Sequence, residues 1–265
     1  MIHSTKMSKS YLFKLSIPIF FSNIAIPFVG LVDTGLMGHL GSEKFLAAIS
    51  IATSVITMIF WSFGFLRMGT VGLVSQSLGR RDWNEITLIF VRNLIIALFF
   101  GLFIVLLKNP ILFSIEHFFK ISQDTQSLIN EYISIRILSA PAELILYVLI
   151  GLYLGLQKTK TASLGVSIFC FGNIILSSIF VINFNLGISG AALGTLIAAY
   201  LSVIIFLLHF FFQLKTKYYG KLTSVKIFNK KKFFLLFRIN FDIFIRTIFL
   251  TFSFLWITYQ SSKLG

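Results

Sequence analysis

The chain has 265 residues, of which 57% are hydrophobic and only 12% charged, with a mean hydropathy of +0.91. This composition excludes a soluble globular domain and reads as an integral membrane protein. A net charge of +14 would suggest a nucleic-acid partner in a soluble chain. In a membrane protein it reflects topology, because cytoplasmic loops gather Lys and Arg, and no nucleic acid is expected.

Met1–Lys14 is polar and basic. The apolar run after it is too long for a signal-peptide core and reads as a retained span. Seven apolar segments are each long enough to cross a bilayer with some tilt: Leu12–Leu40, Phe45–Leu78, Ile86–Leu107, Ile129–Leu156, Ala162–Phe184, Ile188–Leu214 and Phe233–Tyr259. Turns fall at Gly41–Lys44, Gly79–Asp82, Lys108–Pro110, Gln157–Lys160 and Asn183–Gly187, each marked by Gly, Pro or polar clusters. Pro110–Lys120 is too short and too mixed to span, and reads as an interfacial segment. Gly151 and Gly155 in the fourth span, and Gly187, Gly190, Ala191, Gly194 and Ala198 in the sixth, form small-residue stripes for close helix packing. The expected organisation is a six-helix lobe over 1–214, a basic cytoplasmic linker over 215–232, and over 233–265 the first helix of an incomplete second lobe.

Orientation follows from the basic residues. With alternate loops assigned to alternate sides, fifteen fall on the side of the N-terminus (Lys6, Arg80, Arg81, Lys158 and Lys215 among them). Only four, Lys44, Lys108, Lys120 and Lys263, fall on the other. That bias predicts a cytoplasmic N-terminus in a multi-pass protein of the inner (plasma) membrane. The basic linker serves this topology and is placed to meet anionic lipid.

No signature of a soluble enzyme occurs: there is no phosphate-cradling Gly-Lys-Ser/Thr loop, no zinc-binding His-Glu-x-x-His and no cysteine pair. The chain is therefore read as neither an enzyme nor a metal or cofactor protein. Polar residues inside the spans are more informative. Asp33 is the only acid between Leu15 and Leu40, about 10 Å of helix from that segment's end. A charge there is expensive, roughly 2.5–3.5 kcal/mol on insertion scales, and such residues mark ion, proton or substrate pathways. Pro18 and Pro27 lie below it, and each removes a helical hydrogen bond, which makes them candidate hinges. A titratable acid above two hinges is what a proton-driven switch needs. On a regular helix Gly30 and Met37 share its face, and Thr34 beside it is a candidate cavity-lining residue. Glu143, near the start of the fourth span, is either a cavity acid or the partner of Arg136. Asn173, in the middle of the fifth, either lines a cavity or makes an interhelical hydrogen bond.

The sequence also repeats. Leu12–Gly41 aligns without gaps on Leu236–Gly265, with ten identities in thirty positions, and a basic residue (Lys14, Arg238) is kept at one more. Two full copies at this offset of 224 residues (236 − 12) would make a protein of about 450 residues, the parallel-repeat plan of many transporters. The expectation is a truncated chain.

Gly30–Leu–Val–Asp–Thr–Gly–Leu–Met–Gly–His–Leu–Gly41 resembles the first-helix motif of the multidrug and toxic compound extrusion (MATE) family. Gly64–Phe–Leu–Arg–Met–Gly–Thr–Val–Gly–Leu73 resembles the second-helix motif of its DNA-damage-inducible protein F branch. Leu138–Ala142, Gly151–Gln157 and Gly187–Gly194 continue the match in order. The resemblance implies an all-helical secondary antiporter of twelve spans in two six-helix lobes, exporting organic cations or other small organic solutes against H+ or Na+. Asp33 then matches the first-helix acid proposed to carry the proton, and Pro18 the first-helix proline. Many relatives have an Asn and an Asp four residues apart in the fifth helix. Those places are expected here at Leu176 and Phe180, which removes a second acid. The partners implied are the solute and the bilayer; the C-terminal lobe is either lost, separately encoded as a further partner, or outside this sequence. Two rivals remain open: a non-transporting remnant or membrane assembly subunit, and a lipid-linked-precursor flippase of the same superfamily. Asp33 argues against the second, because such flippases usually have a cationic cavity.

Overall fold

The computed structural model describes residues 16–17, 20, 24, 29–40, 42–118, 122–214, 234, 236, 238, 240–249 and 253. Pro18, Pro27, seventeen of the thirty residues in 236–265 and the 215–232 linker lie outside the described residues. The described chain is helical: α1 over residues 29–39, α2 Glu43–Ser62, α3 Phe65–Gly79, α4 Trp83–Leu106, α5 Lys108–Phe118, α6 Gln123–Arg136, α7 Ala140–Gly155, α8 Thr159–Ser178, α9 Gly187–His209 and α10 over residues 240–249. Short π-helical turns, Ile179–Asn183 and Phe210–Leu214, extend α8 and α9. Among the described residues, five stretches are long and apolar enough to cross a membrane: Glu43–Gly79, Trp83–Leu106, Gln123–Gly155, Thr159–Asn183 and Gly187–Phe212. They correspond to the second through sixth expected spans.

Two of those spans are broken where the sequence suggested continuous helix. The second turns at Phe63–Gly64 between α2 and α3, where Gly64 N–H reaches the Trp61 carbonyl at 2.9 Å. The fourth begins at Gln123, six residues ahead of the expected Ile129, because α6 continues as a polar helical turn beyond the apolar run. It is then interrupted by the 3-10 turn Ile137–Ser139. Pro141 has no N–H to give the Ile137 carbonyl, and Ala140 N–H takes that carbonyl one residue early. The expected interfacial segment is the helix α5, with Ile115 buried and Phe113 outside.

The ends of the helices follow local chemistry. Ser42 caps α2, accepting from Lys44 N, and Asp82 caps α4, accepting from Glu85 N at 3.0 Å. At the opposite end of α3, Asp82 N–H bonds Ser77 O and Arg81 N–H bonds Leu78 O, both at 2.9 Å, with Arg81 left-handed at φ +56°. The end of α7 repeats the arrangement, with Gln157 at φ +59°, Lys158 N–H on Tyr153 O and Gln157 N–H on Leu154 O. Both are Schellman closures that satisfy the last carbonyls of a helix.

Within a bilayer, helices associate through close packing rather than hydrophobic exclusion. The span α6–α7 is the centre of the bundle, 78% buried against 28% to 50% for the others. Its α7 half is apolar around most of its circumference, as a helix surrounded by helices must be. α3, α4, α8 and α9 all pack on α7, and α2 packs on α6. The Gly151/Gly155 stripe lets α3 approach, since a Cβ on Gly155 would lie 2.7 Å from Val74 Cβ. The α9 stripe works likewise, Gly194 lying against the Ser177 backbone of α8.

Candidate functional site

Asp33 points from α1 into the bundle and is only 5% exposed. Leu36 and Met37 share its buried face, whereas Gly30 and Thr34 are exposed. Gly30, expected on the Asp33 face, therefore lies off it, because the buried arc of α1 is centred on residues 33, 36 and 37. Thr34 Oγ1 bonds back to Gly30 O at 2.8 Å. Oδ1 of Asp33 has no hydrogen-bond partner among the described groups. A buried carboxylate oxygen without a donor is uncommon in native proteins.

The polar groups acting on Asp33 are the Arg136 guanidinium from α6 and the Ser177 hydroxyl from α8. Arg136 is the last residue of α6, directly before the 3-10 joint. Its Nη1 donates to Glu143 Oε1 in the first turn of α7 and to Ser139 Oγ within the joint. Ser139 Oγ lies 3.0 Å from Glu143 Oε1 and 2.7 Å from the Arg136 carbonyl. Phe60 of α2 covers the guanidinium, its ring centre 5.1 Å from Cζ, a contact of about 2 kcal/mol when desolvated. Tyr132, one turn before Arg136 and 2% exposed, faces the same guanidinium. Of the two readings left open for Glu143, the structure shows the ion pair. Pairing of this kind makes two charges at this depth tolerable.

One turn along, Asn173 Nδ2 of α8 donates to Thr195 Oγ1 of α9 at 2.5 Å, and Thr195 returns a bond to Ala191 O at 3.1 Å. Asn173 thus makes the interhelical hydrogen bond. Ser177 Oγ donates to the same Ala191 carbonyl at 3.3 Å. Asn173 and Ser177 are four apart and fully buried, whereas Leu176 and Phe180 are half-buried. The α8 register, set by Gly194 against Ser177, turns 173 and 177 inward. The Asp33 place is therefore faced by a serine.

A second polar centre joins α3 to α4. Asn93 Nδ2 donates to Thr70 Oγ1 at 3.0 Å, and Thr70 bonds back to Leu66 O at 2.6 Å. Beside it Arg92, 2% exposed, pairs with Glu85 at 3.4 Å. The sequence reading passed over Tyr132, Ser139, Ser177 and Phe60. Only the i, i+7 spacing of Arg136 and Glu143 pointed to the cluster, because the rest converge from α2, α6, α8 and the 3-10 joint.

An all-helical, multi-pass bundle with a buried acid facing an internal cation defines a membrane protein of the transporter type. The MatE profile matches residues 18–180, well over half of the chain, and the chain belongs to the MATE family, whose members are transporters, not enzymes. It is 33% identical to DNA damage-inducible protein F of Escherichia coli K12, over 97% of this chain and 56% of that protein. It is 23% identical to multidrug export protein MepA of Staphylococcus aureus, over 76% of this chain and 46% of that one. The chain spans about half the length of the curated relatives it matches. Solved structures agree in fold. A MOP superfamily transporter from Pyrococcus furiosus superposes with a TM-score of 0.81 at 20% identity, over 92% of this chain and 53% of that one. A MATE protein in complex with MaD3S superposes at 0.84, also at 20% identity, over 96% and 56%.

Proposed function

We propose that the chain forms the N-terminal lobe of a secondary antiporter that exports small organic solutes across the plasma membrane, coupled to inward H+ or Na+. In this reading residues 1–214 are the lobe, 215–232 a basic linker on the cytoplasmic side, and 233–265 the first helix of a second lobe. The N-terminus is cytoplasmic, as the fifteen-to-four basic bias supports. Asp33 binds the coupling ion. The observation behind this assignment is its orphaned, buried carboxylate oxygen on an apolar helix, an arrangement whose cost is offset where the group serves an ion pathway. With Asp33 ionised, the set Asp33, Arg136 and Glu143 has a formal charge of −1; with Asp33 protonated it is neutral. That unit of charge is what a proton exchanges for a cationic solute. Asn173 and Thr195 form the neutral wall beside it, and Pro18 and Pro27 are the hinges that let α1 respond. MepA, named as a multidrug exporter, supports the solute class.

The test is the chain reconstituted in liposomes together with a C-terminal lobe, under an imposed pH gradient. Adding a lipophilic organic cation should release protons, and Asp33→Asn should abolish that release while inserting normally. Equal antiport by Asp33→Asn across a range of pH would overturn the assignment.

A further inference from the structure

Arg136 has more donors than its pairing with Glu143 uses. A guanidinium offers five N–H groups in a fixed fork, and the contacts to Glu143 and Ser139 both come from Nη1. The other nearby carboxylate is Asp33, whose Oδ1 lacks a donor. We propose that Arg136 is a shared counter-ion, held by Glu143 while Asp33 is neutral and divided between Glu143 and Asp33 when Asp33 is ionised. The proposal rests on the reading of Asp33 as the coupling site and adds a positioning residue to it.

Three features of the fold suit that role. Arg136 and Glu143 lie on either side of the 3-10 joint Ile137–Ser139, so their ion pair clasps the one interruption in the central span. Ser139 Oγ lies within hydrogen-bond distance of Glu143 and of the Arg136 carbonyl, and its hydroxyl can follow whichever partner the guanidinium leaves. Phe60 covers one face of the guanidinium, and the Nη1 contacts to Glu143 and Ser139 leave its other donors free to turn toward Asp33. The charged and titratable groups around this set are Tyr132 on α6, Glu143 and Tyr147 on α7, and Arg67 on α3. Ser177 from α8 and Phe60 from α2 add no charge. Glu143 is therefore the carboxylate that competes with Asp33 for Arg136. When the proton leaves Asp33, the guanidinium is drawn toward α1 and the clasp on the joint loosens, which links the charge on α1 to the α6–α7 angle.

The test is infrared titration of the Asp33 carboxyl C=O stretch in the full chain, with Asp33→Asn fixing the band assignment. Glu143→Gln frees Arg136 for Asp33 and should move the titration down by at least about one pH unit, a tenfold drop in proton affinity. Arg136→Gln/Glu143→Gln, neutral at both positions and free of an orphaned charge, should titrate at least about one unit above Glu143→Gln. If Glu143→Gln does not accumulate, the comparison of parent with double variant decides, and the double variant should titrate higher. Titrations of the parent and both variants agreeing within about 0.3 unit would overturn the proposal. The titration separates this idea from the coupling role. If Asp33→Asn transports normally while Glu143→Gln still shifts the Asp33 band, the shared counter-ion stands. If Asp33 is required but its band ignores Glu143 and Arg136, the counter-ion fails alone.

Discussion

Two polar centres lie inside the same bundle, and they differ in how many charges they gather. Around Asp33, charges from α1, α6 and α7 converge at a helical joint, and one carboxylate oxygen has no donor. Between α3 and α4, Asn93 and Thr70 make one neutral hydrogen bond along unbroken helix, with Asn93 Oδ1 likewise lacking a donor among the described groups and the Arg92–Glu85 ion pair beside it. The second is what a membrane protein uses to fix two helices against each other, at about 0.6 kcal/mol per bond. The first is too expensive for that purpose. Replacing a buried ion pair with apolar side chains is often neutral or stabilising, so stability does not account for three charges at this depth. On the function proposed above, the contrast is between a structural polar contact and a functional one.

The largest test of this contrast is functional. Asp33→Asn should reduce proton-driven efflux to the level of empty liposomes, whereas Asn93→Leu should leave it within about threefold, the loss of one such bond being small. Equal losses from both would erase the distinction. Next comes stability. Arg136→Ala leaves Glu143 buried without its partner and should destabilise the detergent-solubilised chain by about 3–5 kcal/mol, read as loss of the monodisperse peak on heating. Arg136→Met/Glu143→Leu should recover most of that. A double variant no more stable than Arg136→Ala would mean that the ion pair itself, not the orphaned charge, holds the joint.

The helices were legible in the sequence because length and hydropathy alone define a span, and five of the expected segments coincide with described helices to within a few residues at most ends. The joint at Ile137–Ser139 was not, since Pro141 near a helix start is ordinary and nothing local marks the lost hydrogen bond as falling mid-span. Asp33 was legible as an acid out of place. Its surroundings were not: Tyr132, Ser139, Ser177 and Phe60 are unremarkable in their own helices and acquire meaning only where those helices cross. Which α8 residues turn inward, Asn173 and Ser177, was not legible either. Helix rotation is fixed by packing, here by Gly194 against Ser177, and hydropathy does not report it.

The smallest expected effects concern packing on either side of the neutral centre, and they test whether it is purely structural. Gly155 of α7 meets Val74 of α3 so closely that a Cβ would lie 2.7 Å from Val74 Cβ and 2.8 Å from its Cγ1. Val74 is β-branched, with one strongly preferred rotamer in a helix, and cannot swing away, so the helices must part. Gly155→Ala should therefore cost about 1–3 kcal/mol and weaken the adjoining contact of Gly151 with Thr70. Gly72, on the same α3, has nothing within 4 Å of the position a Cβ would take. Gly72→Ala should be neutral or stabilise by up to about 1 kcal/mol through helix propensity. Both variants leave the Asp33 cluster intact, so transport per folded molecule should match the parent for each, measured as efflux normalised to reconstituted protein. A fall in specific transport for Gly155→Ala, beyond its loss of folded material, would show that the α3–α7 contact moves during the cycle and that the neutral centre belongs to the mechanism after all.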